Sequence, residues 1–128
     1  MVTVTKIGLL QKQKQAFGLT TAPIQYIGLD GDASAESSAQ QAPAQELTTN
    51  GAGRLVATIT DVSTSSDTAI QLVANYEFTG TNAINAIFVA WSGTAGNNMY
   101  ARHKLTSVQN VGAEDTMTVT FIDHEAAA

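Results

Sequence analysis

The chain has 128 residues, of which 44% are hydrophobic and 13% are charged. A chain of this length has room for one hydrophobic core, and we expect a single β-rich domain over residues 1–128. Eleven acidic residues against six basic ones give a net charge of −5, which disfavours nucleic acid as a partner. Because cysteine is absent, disulfides, thiolate zinc sites and cysteine nucleophiles are excluded.

The N-terminal segment predicts one short amphipathic helix within residues 5–17. Ile7, Leu10 and Phe17 recur at spacings of three and seven, and Gly18 follows as a stop signal. We expect this apolar stripe to dock on a sheet while the Lys and Gln side chains face solvent. No apolar run is long enough to cross a bilayer, and the start does not resemble a secretory signal, so we expect no membrane partner.

Six further segments predict β-strands. They are rich in β-branched or alternating apolar residues and lie at residues 24–29, 55–62, 68–78, 83–91, 99–108 and 116–122. This pattern favours a mostly β fold, an antiparallel β-sandwich or small barrel with one short N-terminal helix. The large residues on the alternating faces form the expected core: Tyr26, Ile59, Leu72, Tyr76, Phe88, Val119 and Phe121.

Residues 33–53 predict a long surface loop. Leu47 is its only large apolar residue, so we expect the loop to be held by Leu47 alone, and to be mobile or ordered by a neighbouring subunit. The strand at residues 83–91 is almost continuously apolar and needs cover on both faces, which a second copy or a larger shell would supply. Phe88 and Trp91 are expected in the core, with an interface anchor as the alternative for Trp91.

Two clusters combine histidine with charged residues. Asp123-His124-Glu125 crowds two acids beside a histidine, but neighbours along a strand face opposite sides, which opposes a catalytic triad. We expect a polar strand end there, followed by a frayed tail at residues 126–128, and no enzyme activity. Arg102-His103-Lys104 is the densest basic cluster and is expected to be a solvated strand face, with a salt bridge to a neighbouring subunit as the alternative.

Two loop segments contain residue types that occur in ligand-binding loops. Asp30-x-Asp32-x-Ser34-x-Glu36 places oxygen ligands at alternate positions, like the start of a calcium loop. Ala35 and Gln41 stand where such a loop needs its Gly and its final Glu. Gly51-Ala52-Gly53 is followed by no Lys-Ser/Thr pair, so it does not form a phosphate loop. We therefore expect no catalytic, cofactor-binding or metal-binding residues, and no cofactor.

Four segments carry a family pattern: Ile7-Gly8-Leu9-Leu10, Tyr26-Ile27-Gly28-Leu29-Asp30-Gly31, Ile84-Asn85-Ala86-Ile87-Phe88, and Met99-Tyr100-Ala101-Arg102 with residues 111–120. Together they resemble a group of small structural proteins of tailed phages and archaeal viruses, similar in pattern to tail-collar and fibre domains. Ala86 stands where this family has Glu, and Ile87 stands where it has a Gly-Leu step.

The resemblance implies a repeated β-rich building block of a virus particle, with no catalytic residues to transfer. We expect a homo-oligomeric capsid decoration, head-fibre or vertex subunit, trimeric or pentameric, in the virion after assembly in the host cytoplasm. Its partners would be its own copies and the major capsid protein or other virion proteins. The alternatives are a tail, collar or fibre component and a receptor-binding adhesin-like β-module that uses residues 92–98. The low charge agrees, because interface cores are depleted in charged residues.

Overall fold

The strands form two antiparallel sheets in the computed structural model, which describes residues 2–20 and 22–125. The elements are β1 (Val2–Val4), α1 (Lys6–Ala16), β2 (Tyr26–Asp30), β3 (Leu55–Val56), β4 (Thr58–Asp61), β5 (Thr68–Glu77), β6 (Asn82–Ala90), β7 (Met99–Val111) and β8 (Thr116–Glu125). The larger sheet has the order β1-β7-β6-β2-β3 and the smaller one the order β4-β5-β8. The expected fold class, mostly β and sandwich-like with one short N-terminal helix, is confirmed. The tail at residues 126–128 lies outside the described residues.

The core between the sheets comes from alternate strand residues, as the period of two requires. In the smaller sheet, Leu72 is paired with Phe121 and Ala74 with Val119, and all four side chains are buried. They belong to the same apolar cluster as residues of β2 in the larger sheet. The Tyr76 hydroxyl donates a hydrogen bond to the Ile27 carbonyl oxygen at 2.8 Å, which ties the two sheets together.

The expected core is confirmed at five positions, which are Leu72, Tyr76, Phe88, Val119 and Phe121. Tyr26 is only half-buried. Ile59 is 47% exposed, so its assignment to the core was wrong. The reason is its place in the sheet: β4 is an edge strand that pairs with β5 on one side only. An edge position leaves even an inward-facing side chain partly open to solvent.

The opposite face of the larger sheet is also buried. Gly28, Phe88 and Arg102 lie side by side in register across β2, β6 and β7. A Cβ atom at Gly28 would stand 2.1 Å from Cζ of Phe88, so only glycine leaves room for that ring. Arg54, from the segment that follows the long loop, lies over the same ring, with its Cζ atom 5.0 Å from the ring centroid.

The long loop covers this face, and several backbone hydrogen bonds hold it. Leu47 donates from its N–H to the Leu29 carbonyl oxygen at 2.9 Å, and the Gly31 N–H donates to Gln45 at 2.9 Å. Met99 of β7 donates to the Gln41 carbonyl oxygen at 3.2 Å. The expectation that Leu47 alone holds the loop was therefore wrong. The chain itself supplies the second cover that the apolar strand at residues 83–91 requires.

Helix α1 docks with the face opposite to the one predicted. Gly8 and Gln11 are buried, whereas Leu10 and Phe17 of the predicted stripe are exposed. A Cβ atom at Gly8 would lie 2.5 Å from the Tyr100 carbonyl oxygen, so the missing side chain is what permits close approach to β7. With about 3.6 residues per turn, Leu10 and Phe17 lie roughly 180–200° around the helix from Gly8 and must point outward.

Candidate functional site

The densest basic cluster of the sequence contains a buried ion pair. Arg102 Nε lies 3.1 Å from Asp30 Oδ2, with the two side chains 1% and 0% exposed. The guanidinium also donates to the carbonyl oxygens of Asp32 at 2.7 Å and Ser34 at 3.0 Å. The other Asp30 oxygen accepts from the backbone N–H groups of Asp32 and Gln45, each at 3.0 Å. A buried charge is tolerated when its hydrogen bonds are satisfied in this way.

This arrangement changes the interpretation of two sequence predictions. Arg102 is not on a solvated strand face, because residues 31–36 fold over it; Lys104 next to it is exposed. The acidic segment that begins with Asp30 is occupied by a cation of the chain itself, the Arg102 guanidinium. Asp32 contributes more weakly, with Oδ2 at 3.6 Å from Arg102 Nη2. A hydrogen bond from the Ser34 hydroxyl lowers the pKa of Asp32 below its ordinary value.

His103 lies between Arg102 and Lys104 and is half-buried. Its Nδ1 atom is 3.8 Å from Glu36 Oε1, too far for a hydrogen bond, and has no hydrogen-bond partner. The Lys104 N–H instead donates to Glu36 Oε1 at 2.6 Å. The histidine therefore lies beside the segment that covers Arg102, and Glu36 acts as an anchor of that segment.

A second arginine fixes the base of the loop at residues 92–98. Arg54 donates from Nε and Nη2 to the two carboxylate oxygens of Glu46, each at 2.8 Å. Its Nη1 atom donates to the Ser92 carbonyl oxygen at 2.7 Å and to Asn98 Oδ1 at 2.6 Å. Sequence reasoning did not identify this site, because Glu46 and Arg54 lie in or next to a segment that had been interpreted only as a loop. Its geometry is that of a bidentate structural pair.

Asp123 has its hydrogen-bond partners away from His124, as expected for neighbours along a strand. Asp123 accepts from Lys12 Nζ at 2.8 Å and from the Tyr100 hydroxyl at 3.1 Å. His124 Nδ1 lies 2.8 Å from Asp67 Oδ2 on the exposed side of the sheet. The side chain of Glu125 lies outside the described residues. The histidine and the acid beside it thus belong to two separate structural pairs.

Burial and hydrogen bonding both act on the Lys12 cluster. Burial alone would lower the pKa of Lys12, but its hydrogen bonds to Asp123 and Tyr100 outweigh burial and raise that pKa above 10.5. Burial raises the pKa of Tyr100 above 10.0, and the hydrogen bond from Lys12 offsets only part of the rise. Both groups therefore keep their protons at neutral pH, and the cluster fastens α1 to the end of β8.

Among residues 2–20 and 22–125, the two most exposed large apolar side chains are Phe17 and Leu19, at the end of α1 and just after it. We call the outer side of α1 the helix face and define it by Leu9, Leu10, Phe17 and Leu19. Phe17 is 81% exposed and Leu19 77% exposed, while Leu9 and Leu10 are about half exposed. A shallow depression of about 590 Å³ runs along this side, lined by Leu9, Leu10 and Phe17 together with Lys6 and Gln13. Because these exposed apolar residues are clustered, the helix face is the candidate docking surface.

Comparison with family models, with curated proteins and with solved structures finds no match to this chain. Within residues 2–20 and 22–125, no group of three or more His, Asp or Glu side chains is placed to hold a metal ion. Helix α1 is too short and too polar to cross a bilayer, and the described residues contain no candidate membrane-spanning helix.

Proposed function

We propose that this chain is a non-catalytic structural subunit of a virus particle, which associates with its own copies as a capsid decoration, head-fibre or vertex component. Its further partners are the major capsid protein or other virion proteins, and it resides in the virion after assembly in the host cytoplasm. The observation that carries the proposal is the helix face: Leu10 and Phe17 stay exposed although the chain itself covers both faces of the larger sheet. A patch of this kind suits a protein that functions by docking.

The polar clusters support a structural role. Arg102 is paired with Asp30, Arg54 with Glu46, and Lys12 with Asp123. The first and third pairs join segments far apart in sequence, and the three pairs together fix the loop and the helix on the sheets. Catalytic side chains, by contrast, lie in a cleft where they can contact a substrate. The four sequence segments that resemble virion structural proteins add independent support.

Localisation in purified particles tests the proposal. Particles from cells that produce this chain are separated on a density gradient, and the chain is quantified in each fraction by mass spectrometry. We expect it to co-sediment with the major capsid protein at a fixed ratio, and density at a defined particle position should fit the two-sheet fold. A chain that stays entirely in the free protein fractions would overturn the proposal.

One observation favours the adhesin-like alternative. Residues 93–97 are exposed, and Arg54 holds both ends of this loop through Ser92 and Asn98. A loop fixed at its base loses little entropy on binding a ligand. Binding of a glycan or of host cells by the isolated protein, lost when residues 94–97 are replaced by glycine and serine, would support this alternative over the virion subunit.

A further inference from the structure

The charge on α1 is entirely basic. The helix carries Lys6, Lys12 and Lys14 and no acidic residue. Lys12 is held by Asp123, whereas Lys6 and Lys14 are exposed and have no acidic partner within ion-pair distance in the described part of the chain. The net charge of −5 includes the +3 of α1, so the remaining residues carry −8. The helix face is therefore an apolar surface edged by cations on an otherwise acidic molecule.

Three carboxylates lie together where β5 ends and β7 turns into β8. We call this region the acidic pole and define it by Glu77, Glu114 and Asp115. The Phe78 N–H donates to the Asp115 carbonyl oxygen at 2.9 Å, and the Glu114 N–H donates back to Phe78 at 2.8 Å. All three carboxylates are exposed, and no Lys, Arg or His of residues 2–20 and 22–125 lies within ion-pair distance of them.

The acidic pole also has apolar surface beside it. Val108 near the end of β7 is 43% exposed, and Ala113 is exposed at the tip of the turn. The pole thus combines apolar and acidic groups, whereas the helix face combines apolar and basic groups. The two surfaces are complementary, because the basic and apolar groups of one would pair with the acidic and apolar groups of the other.

These two surfaces lie at opposite ends of the molecule. The Thr5 N–H donates to the Tyr100 carbonyl oxygen at 2.8 Å, which places α1 at the first residues of β7. The turn that carries Glu114 and Asp115 follows the last residue of β7, and a strand of 13 residues spans roughly 40 Å. The two surfaces cannot meet within one chain, so they can contact each other only between two copies.

We propose that the helix face binds the acidic pole of a second copy, so that copies associate head to tail. This inference rests on the proposed function, because it specifies the self-contact of that subunit. A head-to-tail contact is heterologous and generates a ring when the rotation closes or a filament when it does not. Two helix faces pressed together would instead place Lys6 and Lys14 against like charges. An anionic lipid surface would attract α1 but repel the remaining −8.

Charge reversal with mixing tests the proposal by sedimentation velocity at low ionic strength. Lys6→Glu/Lys14→Glu has an acidic helix face and an acidic pole, and Glu77→Lys/Glu114→Lys has two basic ends. We expect each double variant to associate at least tenfold more weakly than the unchanged protein. An equimolar mixture of the two should associate again, because each end then meets its opposite. Lys104→Glu, at an exposed lysine outside α1, is the matched control and should associate like the unchanged protein.

Circular dichroism confirms that each variant is folded before sedimentation. A mixture that stays monomeric, an unchanged protein that stays monomeric at high concentration, or double variants that each associate as strongly as the unchanged protein would overturn the proposal. Vesicles of phosphatidylserine and phosphatidylcholine provide a further arm: binding that depends on Lys6 and Lys14, without self-association, would assign the helix face to a membrane. Failure of head-to-tail association would leave particle localisation as a separate test of the proposed function.

Discussion

The guanidinium of Arg102 and the carboxylate of Asp30 form an ion pair that is fully excluded from solvent, with Nε 3.1 Å from Oδ2. The two residues lie on β7 and at the end of β2, on the face of the larger sheet that the long loop covers. Asp30 also holds the backbone of Asp32 and Gln45, so one carboxylate fixes the arginine and two points of the loop. The loop therefore depends on this pair more than on its single large apolar residue, Leu47.

Replacing Asp30 should destabilise the fold much more than replacing Asp32. Asp30→Asn leaves a buried guanidinium without its counter-charge, and we expect a loss of roughly 3–5 kcal/mol in the free energy of unfolding. Asp32→Asn removes a longer, partly solvated contact and should cost much less than Asp30→Asn. Urea unfolding followed by circular dichroism measures both. Asp30→Asn/Arg102→Met, which removes both charges, should recover part of the loss, and equal losses for the two single variants would contradict the account.

Truncation of Phe88 should have a large effect and truncation of Ile59 a small one. Phe88 is buried under Arg54, so Phe88→Ala should cost roughly 3–5 kcal/mol. Ile59 lies on the edge strand β4 and is about half exposed, so Ile59→Ala should cost less than about 1 kcal/mol. Thermal and urea unfolding measure the loss in the free energy of unfolding of both variants. A loss below about 0.5 kcal/mol for Phe88→Ala would place this ring on the surface.

Adding one methyl group at Gly28 should lower the free energy of unfolding. Gly28→Ala brings a Cβ atom to 2.1 Å from the Phe88 ring, which must move in a closely packed layer. Overpacking of this kind costs roughly 1–3 kcal/mol. Gly53→Ala is the control, since the nearest atom to its added Cβ lies at 3.9 Å. If both variants unfold at the same urea concentration as the unchanged protein, the packing described for Gly28 is wrong.

Stability should fall in alkaline solution. Burial raises the pKa of Tyr76 and of Tyr100 above 10.0, and hydrogen bonds raise that of Lys12 above 10.5. A pKa that is higher in the folded state contributes stability below the unfolded-state pKa, and this contribution is lost as the pH rises through the folded-state pKa. The free energy of unfolding should therefore be level near about pH 8 and fall above about pH 10.

The variant Tyr76→Phe measures how much Tyr76 contributes to this alkaline loss of stability. The variant lacks the hydroxyl that donates to Ile27, so it starts less stable by about 1 kcal/mol at neutral pH. It should then lose less stability than the unchanged protein between about pH 8 and about pH 11, as measured by urea unfolding at both values. A decrease of the same size in both proteins would show that Tyr76 does not contribute to the alkaline transition.

Most strands were predictable because alternation and β-branched residues report directly on a half-buried sheet. Leu72 and Phe121 illustrate this, since both lie on inward positions of strands assigned from sequence. Strand β1 was not predicted, and the single strand expected at residues 55–62 is divided between β3 and β4, which lie in different sheets. The helix illustrates the limit: its periodicity was visible, but which side faces the sheet depends on the approach of Gly8 to Tyr100. The pattern alone could not identify that contact across 92 positions of sequence.

The candidate site was less predictable than the fold. The pairing of Arg102 with Asp30 joins two segments that the sequence pattern does not connect: a strand face expected to be solvated, and an acidic turn that resembles only the start of a calcium loop. Neither segment alone shows that the cation for the acids comes from the chain itself. The sequence did contain one signal for buried ion pairs. Arg54 and Arg102, two of only six basic residues, lie next to or within segments predicted as strands. Buried arginines require buried acids.

The most direct test of the account is site-specific cross-linking, which is possible because the chain has no cysteine of its own. Phe17→Cys places a thiol on the helix face, and Glu114→Cys places one on the acidic pole. Under mild oxidation, we expect disulfide-linked dimers in an equimolar mixture of the two variants and few in either variant alone. Dimers of Phe17→Cys alone, or no dimers in the mixture at high concentration, would contradict head-to-tail docking of the helix face.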